Sequence, residues 1–209
     1  EYKYLHPNEH VNMSQSTNDT FPSSLYIASY RMVRRMLLPS FAQLEDAFAH
    51  KAKEFRKIKK TGRTHLQDAV PLTLGDEFGA YAAVIGYHHR QIEVASKELL
   101  AINLGGTAVG TGLNAGAKFR ALALKEIKRI TGYPFKSNPN LFAGTQNVEA
   151  VISLSSALRN YAVSLSKIAS DLRLLSSGPT SGFDEIRLPA VQPGSSIMPG
   201  KVNPSIPEM

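Results

Sequence analysis

The chain has 209 residues, of which 43% are hydrophobic, carries a formal net charge of +7 and contains no cysteine. Such a chain can bury one substantial hydrophobic core, but it can form neither a disulfide framework nor a thiolate metal site. No apolar run approaches the roughly 18 residues of a membrane-spanning helix, and the first residues lack the pattern of a signal peptide. We therefore expect a cytoplasmic protein with no membrane partner.

Much of the positive charge is clustered near the end of one predicted helix, where cations favour the negative end of the helix dipole. The clustered residues are Lys51, Lys53, Arg56, Lys57, Lys59 and Lys60. We expect them to lie on a solvated face. No nucleic-acid-binding motif accompanies them, so we expect no nucleic-acid partner.

Hydrophobic residues recur three or four residues apart along most of the chain, which predicts helices. The first helix contains Phe41–Ile58 and extends upstream to Pro22, which suits a first helical turn. Pro39 predicts a kink within this helix, because proline lacks the N–H of the helical ladder. The second helix begins after Pro71 and runs to Leu99.

A shorter third helix spans about Lys118 to Ile130 and ends before Gly132. The segment that precedes it, at positions 105–112, is rich in glycine. Neither a preceding strand nor a Gly-Lys-Ser/Thr ending supports a phosphate-binding loop there. We interpret the segment as a tight connection between helices.

The fourth helix has the most regular pattern, with an apolar residue every 3.5 positions on average, which is typical of long helices that pack at a shallow angle. The residues are Val151, Leu154, Leu158, Tyr161, Leu165, Ile168, Leu172 and Leu175. No alternation indicates a substantial sheet. The predicted fold class is therefore all-α, built from long helices.

Three polar segments interrupt the helices, and the last of them is the most informative. Its sequence, GSSIMPGKVNP at positions 194–204, places two hydroxyls, a lysine and an amide among glycine and proline. Those breakers exclude regular helix or strand. Such a loop suits the capture of a carboxylate and the removal of a proton beside it. An ordinary surface turn is the alternative that composition alone favours.

The other two segments are HPNEHVNMSQSTNDT at positions 6–20 and GRTHLQDAVP at positions 62–71. With positions 194–204, and in this order, they resemble characteristic regions of the aspartase/fumarase superfamily, and the resemblance covers essentially the whole chain. It implies an all-α, long-helix up-down bundle, with residues 1–209 as the central domain and about 193–204 as a mobile signature loop. Superfamily members extend further at both ends, so the resemblance also implies that their N-terminal and C-terminal domains are absent here.

Members of the superfamily eliminate ammonia, water or an amine to leave fumarate. Removal of a proton next to a carboxylate builds a dianionic aci form, which needs strong preorganised donors. Serine is a poor base in water, and a closing loop that excludes water solves that problem. The resemblance implies that Ser195 is the base, that Ser196 contacts substrate, and that Lys201 and Asn203 hold the carboxylate that gains charge. This chemistry requires no cofactor and no metal.

In the first segment, the resemblance implies that Ser16, Thr17 and Asn18 bind substrate. The alternative is that Ser16, Asn18 or Asp19 only caps the helix that contains Pro22. Both roles are compatible, because a helix N-terminus also binds anions.

In the second segment, the resemblance implies that Thr64 and His65 contact substrate, although a single histidine is more often structural. Glu208 lies where the superfamily has a glutamate that pairs with this histidine and fixes its protonation. The predicted catalytic residues are therefore Ser195, His65 and Glu208.

The first segment also bears on the reaction. Ser16-Thr17 favours the aspartases, because fumarases commonly carry two serines there, whereas Leu104–Ala108 is closer to the fumarase form. The predicted reaction is the reversible anti elimination of ammonia from L-aspartate, with hydration of fumarate as the alternative. The resemblance implies a small dicarboxylate or amino-acid substrate and a homotetramer whose active sites are shared between subunits. A chain that only assembles, without activity of its own, stays open as a further alternative.

Overall fold

Helices make up most of the computed structural model, which describes residues 3–194 and 196–209. The predicted all-α class is confirmed, with a few short strands. The helices are α1 Thr17–Met32, α2 Leu38–Phe55, α3 Leu74–Glu98, α4 Phe119–Thr131, α5 Leu141–Gln146, α6 Glu149–Leu175 and α7 Ser205–Glu208. Two π-helical turns span Pro7–Val11 and Val33–Leu37. The strands are β1 Lys59–Thr64, β2 Gln67–Thr73, β3 Ala101–Ile102 and β4 Lys136–Ser137.

Helix α1 begins at Thr17, ahead of the predicted start at Pro22. The prediction was wrong because a cap at Ser16 starts the helix earlier, and Pro22 lies inside it. The helical path continues through the π-helical turn Val33–Leu37 into α2. Pro39 cannot donate a backbone hydrogen bond, and the distortion predicted near it takes the form of this wider turn immediately before it.

The other predicted helices are confirmed with small differences at their ends. Every apolar residue of the stripe predicted on α6 is buried or half-buried, so the 3.5-residue spacing does mark a packed face. Helix α5 and the parallel pair β3–β4 were not predicted. A six-residue helix and two-residue strands are too short to show a hydrophobic period.

The chain divides into two compact units, which are described separately. The first unit comprises Glu1–Ala47 and Gly86–Leu158. In its core the ring of Tyr30 meets the rings of Tyr133 and Phe135 edge to face, with centroids 5.1 Å and 5.8 Å apart. This geometry is the preferred one for aromatic pairs. The apolar side chains without exposed surface in this unit include Ile92, Leu99 and Ile102.

The second unit comprises Phe48–Ile85 and Arg159–Met209. Its core contains an aromatic cluster whose neighbouring centroids lie 5.1–6.1 Å apart. The cluster consists of Phe48, Phe55, Phe78 and Tyr81. The hydroxyl of Tyr81 donates to Asp171 Oδ2 at 3.0 Å. Burial and the charge of Asp171 raise the pKa of Tyr81, so this hydroxyl keeps its proton and remains a donor.

Strands β1 and β2 form an antiparallel hairpin in the second unit that was not predicted. Residues on both faces of the hairpin are exposed or half-exposed along most of its length, so no apolar alternation marks it in the sequence. Its register breaks between Thr61 and Arg63, where Gly62 is buried. A Cβ at Gly62 would lie 2.7 Å from the carbonyl oxygen of Val70, so glycine is required at this irregularity.

Among the described residues, no helix is both long enough and apolar enough to cross a membrane.

The packing of α3 against α2 can be tested with two glycines one turn apart on α3. A Cβ on Gly75 would lie 2.5 Å from the carbonyl oxygen of Ala52, whereas a Cβ on Gly79 would lie 3.8 Å from Ala52 Cβ. We expect Gly75→Ala to lower the free energy of unfolding by about 1–3 kcal/mol, because backbone must shift. As the matched control, Gly79→Ala is expected to raise it by about 0.5–1 kcal/mol. Urea denaturation measures both, and equal stability of the two variants would contradict the described packing.

Candidate active site

The first polar segment forms the N-terminus of α1. Ser16 is extended at the N-cap position, with φ −130°. Its Oγ accepts a hydrogen bond from the backbone N–H of Asn18 at 3.2 Å, and Asp19 Oδ1 accepts one from the backbone N–H of Ser16 at 3.0 Å. This capping box satisfies N–H groups that the helix itself leaves unpaired. The capping role considered for Ser16 and Asp19 is therefore confirmed.

Asp19 has a second role that the sequence did not reveal. Its side chain is fully buried, and Oδ2 accepts hydrogen bonds from the backbone N–H groups of Gly105 and Thr107, each at 2.9 Å. The amide of Asn18 adds a third link, because its Nδ2 donates to the carbonyl oxygen of Ala108 at 2.8 Å. The first segment thus fixes the glycine-rich connection 105–112 within the first unit.

Polar side chains at the N-terminus of α1 remain available to contact a ligand. Thr17 and Asn18 are exposed, and Ser16 is half-buried. Ser16 Oγ serves as an acceptor in the cap, so its hydroxyl proton can still be donated. Hydroxyl donors beside the positive end of a 16-residue helix favour a bound anion such as a carboxylate.

The second polar segment occupies the hairpin, and its turn holds His65. Thr64 pairs with Gln67, which leaves His65 and Leu66 as a two-residue loop. Both have left-handed backbone conformations, with φ 52° and 62°. Turns of this kind prefer Asn-Gly, and a left-handed residue other than glycine costs roughly 1–2 kcal/mol. Such strain is concentrated at functional sites. His65 and Leu66 are both exposed, so burial of their side chains does not offset this energetic cost.

The signature loop contains a tight turn before its lysine. The backbone N–H of Lys201 donates to the carbonyl oxygen of Met198 at 3.2 Å, with Pro199 and Gly200 between them. Gly200 has φ 83°, as the third residue of a type II turn requires. The backbone of Gly194 approaches that of Lys201, because a Cβ on Gly194 would lie 2.8 Å from the Lys201 carbonyl oxygen. The start of the loop therefore lies close to its lysine.

The loop also brings two predicted substrate-binding residues together. Lys201 Nζ donates to Asn203 Oδ1 at 2.8 Å, which leaves the Nδ2 donors of Asn203 available for a ligand. Ser196 is exposed on the same loop. Ser195, the predicted base, lies outside the described residues.

Glu208 ends the short helix α7 and is largely exposed. Its Oε1 accepts a hydrogen bond from Arg173 Nη2 at 3.0 Å. Its pairing with His65 stays a prediction, and Arg173 is the partner that the structure gives it.

A charge cluster in the second unit was missed. Glu185 Oε1 accepts from Arg63 Nη1 at 2.6 Å, Glu185 Oε2 is bound by Lys60 Nζ, and Lys60 Nζ also contacts Glu77 Oε2 at 2.7 Å. The side chain of Lys60 is only 8% exposed. Its assignment to a solvated face was therefore wrong, because a hairpin follows α2 and turns this lysine inward. Partial burial raises the pKa of Glu185, but hydrogen bonds from Arg63 and Lys60 outweigh it and hold that pKa below its ordinary value.

Within residues 3–194 and 196–209, no group of three or more histidine, aspartate or glutamate side chains could hold a metal ion.

The buried carboxylate of Asp19 can be tested by an isosteric change. In Asp19→Asn the amide must face at least one of three backbone N–H donors with its own NH₂ group. We expect the free energy of unfolding to fall by about 1–3 kcal/mol, because a buried donor loses its acceptor. The control Asp46→Asn removes a charge from an exposed residue of α2 in the same unit and should change stability by less than about 0.5 kcal/mol. Chemical denaturation that finds equal effects would contradict the anchoring role of Asp19.

Comparison with known proteins agrees with this arrangement of segments. A family model described as Lyase matches residues 2–209. The chain is 53% identical over 209 residues to an aspartate ammonia-lyase of Helicobacter pylori, covering 100% of this chain and 44% of that protein. It is 49% identical over 203 residues to the mitochondrial fumarate hydratase of Rattus norvegicus, covering 97% of this chain and 40% of that protein. The chain therefore spans less than half the length of these relatives.

The same similarity extends to a solved structure, that of a Brucella melitensis protein described as fumarate lyase:delta crystallin bound to cobalt. The TM-score is 0.94 and the sequence identity 49%, and the match covers 100% of this chain and 45% of the other. With a family model and both kinds of relative matching along nearly all of its length, the chain belongs to the lyase family that its three polar segments indicated, the aspartase/fumarase superfamily.

Proposed function

We propose that the protein eliminates ammonia from L-aspartate to give fumarate, reversibly and with anti geometry. The observation that carries the proposal is the pairing of Lys201 Nζ with Asn203 Oδ1 at 2.8 Å in the signature loop. The first segment adds Ser16-Thr17, at the N-terminus of α1. An ammonium and an amide held together supply the donors that a carboxylate needs while it gains negative charge.

Ser195 is proposed as the base that removes the proton from the carbon next to that carboxylate. The electron pair moves into the carboxylate and builds the dianionic aci form. That pair then returns to form the C=C bond of fumarate as the C–N bond breaks, and the ammonium group leaves as ammonia with the electron pair of the broken bond. Lys201 keeps donors beyond the one given to Asn203, and the Nδ2 donors of Asn203 are not used in this contact. Together they stabilise the charge that develops in the transition state, for which one donor typically contributes about 3 kcal/mol.

The remaining groups are proposed to bind the rest of the substrate. Ser16, Thr17 and Asn18 offer polar side chains at a helix N-terminus, which favours the second carboxylate. Thr64 and His65 are presented by the strained hairpin turn, whose cost is consistent with a role other than stability. The proposed partner of His65 is Glu208, which would set its protonation.

Hydration of fumarate is the second candidate, because the chain is nearly as similar to a fumarate hydratase as to an aspartate ammonia-lyase. Thr17 favours the aspartase reaction. The absorbance of fumarate, followed with the longest natural form of the protein on L-aspartate and on L-malate, separates the two. We expect turnover of L-aspartate, and turnover of L-malate alone would reverse the assignment. A folded protein inactive on both would leave assembly without catalysis.

We propose that the protein is a homotetramer with active sites shared between subunits. Apolar side chains on the long helices remain exposed within the single chain, at 61% for Val94, 52% for Ile152 and 65% for Val163. Helices with a second apolar face need further partners. Sedimentation velocity at micromolar concentration should find four copies, and a folded monomer would contradict the proposal.

Replacement of the proposed base tests the mechanism. We expect Ser195→Ala to lower kcat by about 10²–10⁴-fold, the usual contribution of proton transfer by a side chain. The fold should survive, because the change removes a single hydroxyl. Ser181→Ala makes the same change at an exposed position in another irregular segment of the second unit and should leave kcat unaltered. Steady-state kinetics in which both variants retain kcat within about tenfold of the parent would remove Ser195 from the base role.

A further inference from the structure

The charge cluster around Glu185 joins three parts of the second unit. Lys60 and Arg63 lie on β1, Glu77 lies in the first turn of α3, and Glu185 follows α6. The side chains of Lys60, Arg63 and Glu185 are 8%, 18% and 20% exposed. The cluster contains two cations and two anions, so its charges cancel. It therefore carries no net positive charge that would attract an anionic substrate.

Glu185 itself is held by backbone hydrogen bonds to the end of α6. Its N–H donates to the carbonyl oxygen of Leu175 at 2.9 Å, and the N–H of Asp184 donates to that of Ser177 at 2.8 Å. These contacts use a carbonyl group that the end of a helix leaves unpaired. Asp184 has a left-handed backbone with φ 47°. The backbone that carries the Glu185 side chain is therefore fixed relative to the end of α6.

The guanidinium of Arg63 contacts one partner through its flat face and another through an N–H at its edge. The centre of its guanidinium lies 4.1 Å from the centroid of the Phe183 ring, and Nη1 donates to Glu185 at 2.6 Å. Stacking and a charge-assisted hydrogen bond together restrict the plane of the guanidinium. Arg63 lies two residues before His65 in the same strand and turn. Its position thus limits where the turn can lie.

The strained turn needs such a restraint. Two left-handed residues that are not glycine persist only when the surrounding structure fixes them. His65 and Leu66 are both exposed, so burial of their own side chains does little to fix them. Half-buried ion pairs contribute little net stability, because desolvation offsets much of the attraction. Their geometric effect is stronger, since removal of one charge leaves its partners buried and unpaired.

We propose that Glu185 is a positioning residue for the reaction. Through Arg63 and Lys60 it holds the hairpin so that Thr64 and His65 are presented in one conformation, and it fixes the start of the segment that leads to Ser195. This inference rests on the proposed lyase function. Glu185 itself does not contact substrate.

The variant Glu185→Gln keeps the size of the side chain but removes its charge. One of the two accepting oxygens becomes an NH₂ donor, so Arg63 and Lys60 can no longer each donate to a separate oxygen. We expect kcat to fall by about 10–100-fold with little change in KM, because a small misplacement of catalytic groups slows the chemical step. The control Asp184→Asn removes a charge one residue earlier, and asparagine tolerates the left-handed backbone. Its partner Arg187 is 86% exposed, so kcat should stay within about twofold.

A second measurement separates this inference from the proposed function. The imidazole proton signals of His65, assigned with a His65→Gln variant, report the environment of the turn by NMR whether or not the protein turns over. We expect these signals to shift or broaden in Glu185→Gln and to stay in place in Asp184→Asn. Unchanged His65 signals, or kcat of Glu185→Gln equal to that of Asp184→Asn, would overturn the inference.

If the parent protein has no lyase activity while the His65 signals still respond to Glu185→Gln, the proposed function fails and the structural coupling stands. If Glu185→Gln does not fold, Arg63→Lys takes its place, because lysine keeps the charge but loses the guanidinium plane. We then expect a smaller loss of kcat and a shift of the same His65 signals. Full activity with unshifted signals in Arg63→Lys would refute the role of the cluster.

Discussion

The polar segments of this protein have irregular backbones, and their N–H and C=O groups must find partners that the helices do not supply. A carboxylate meets part of that need in the first unit, and a second carboxylate holds two cationic side chains in the second unit. In the first unit, Asp19 accepts three backbone hydrogen bonds from a fully buried position. In the second unit, Glu185 binds Arg63 and Lys60 from the hairpin. Neither carboxylate belongs to the residues proposed to touch substrate. Each instead fixes residues next to them, which agrees with the need for a supported, preorganised site.

Hydrophobic spacing was sufficient to predict the long helices, because the residues that repeat along α6 are those that pack. It was not sufficient at α1, where the cap at Ser16 sets the start and Pro22 lies in the interior. The hairpin could not be predicted, since its strands lack a buried face and its turn uses His65 and Leu66 instead of Asn-Gly. Asp19 could be predicted as a cap, but its partners Gly105 and Thr107 are distant in sequence.

The site residues themselves were predicted by resemblance more than by physical pattern. The sequence does contain local information on the loop, because Pro199-Gly200 is typical of the type II turn that the loop adopts. The contact between Lys201 and Asn203 agrees with their predicted common role. Lys60 was misinterpreted, since a run of lysines after a helix does not reveal that one of them turns inward to two glutamates. The choice between aspartase and fumarase depends on few positions, and Thr17 is the one among them that is proposed to contact substrate.

In the proposed reaction, a proton is transferred at the carbon next to a substrate carboxylate, and on one face of that carbon only. The most direct measurement is proton NMR of the product formed from fumarate and ammonium in deuterium oxide by the longest natural form of the protein. We expect aspartate that carries a single deuterium, at only one of the two diastereotopic positions of its methylene carbon. Deuterium divided between both positions, or the absence of any addition product, would contradict it.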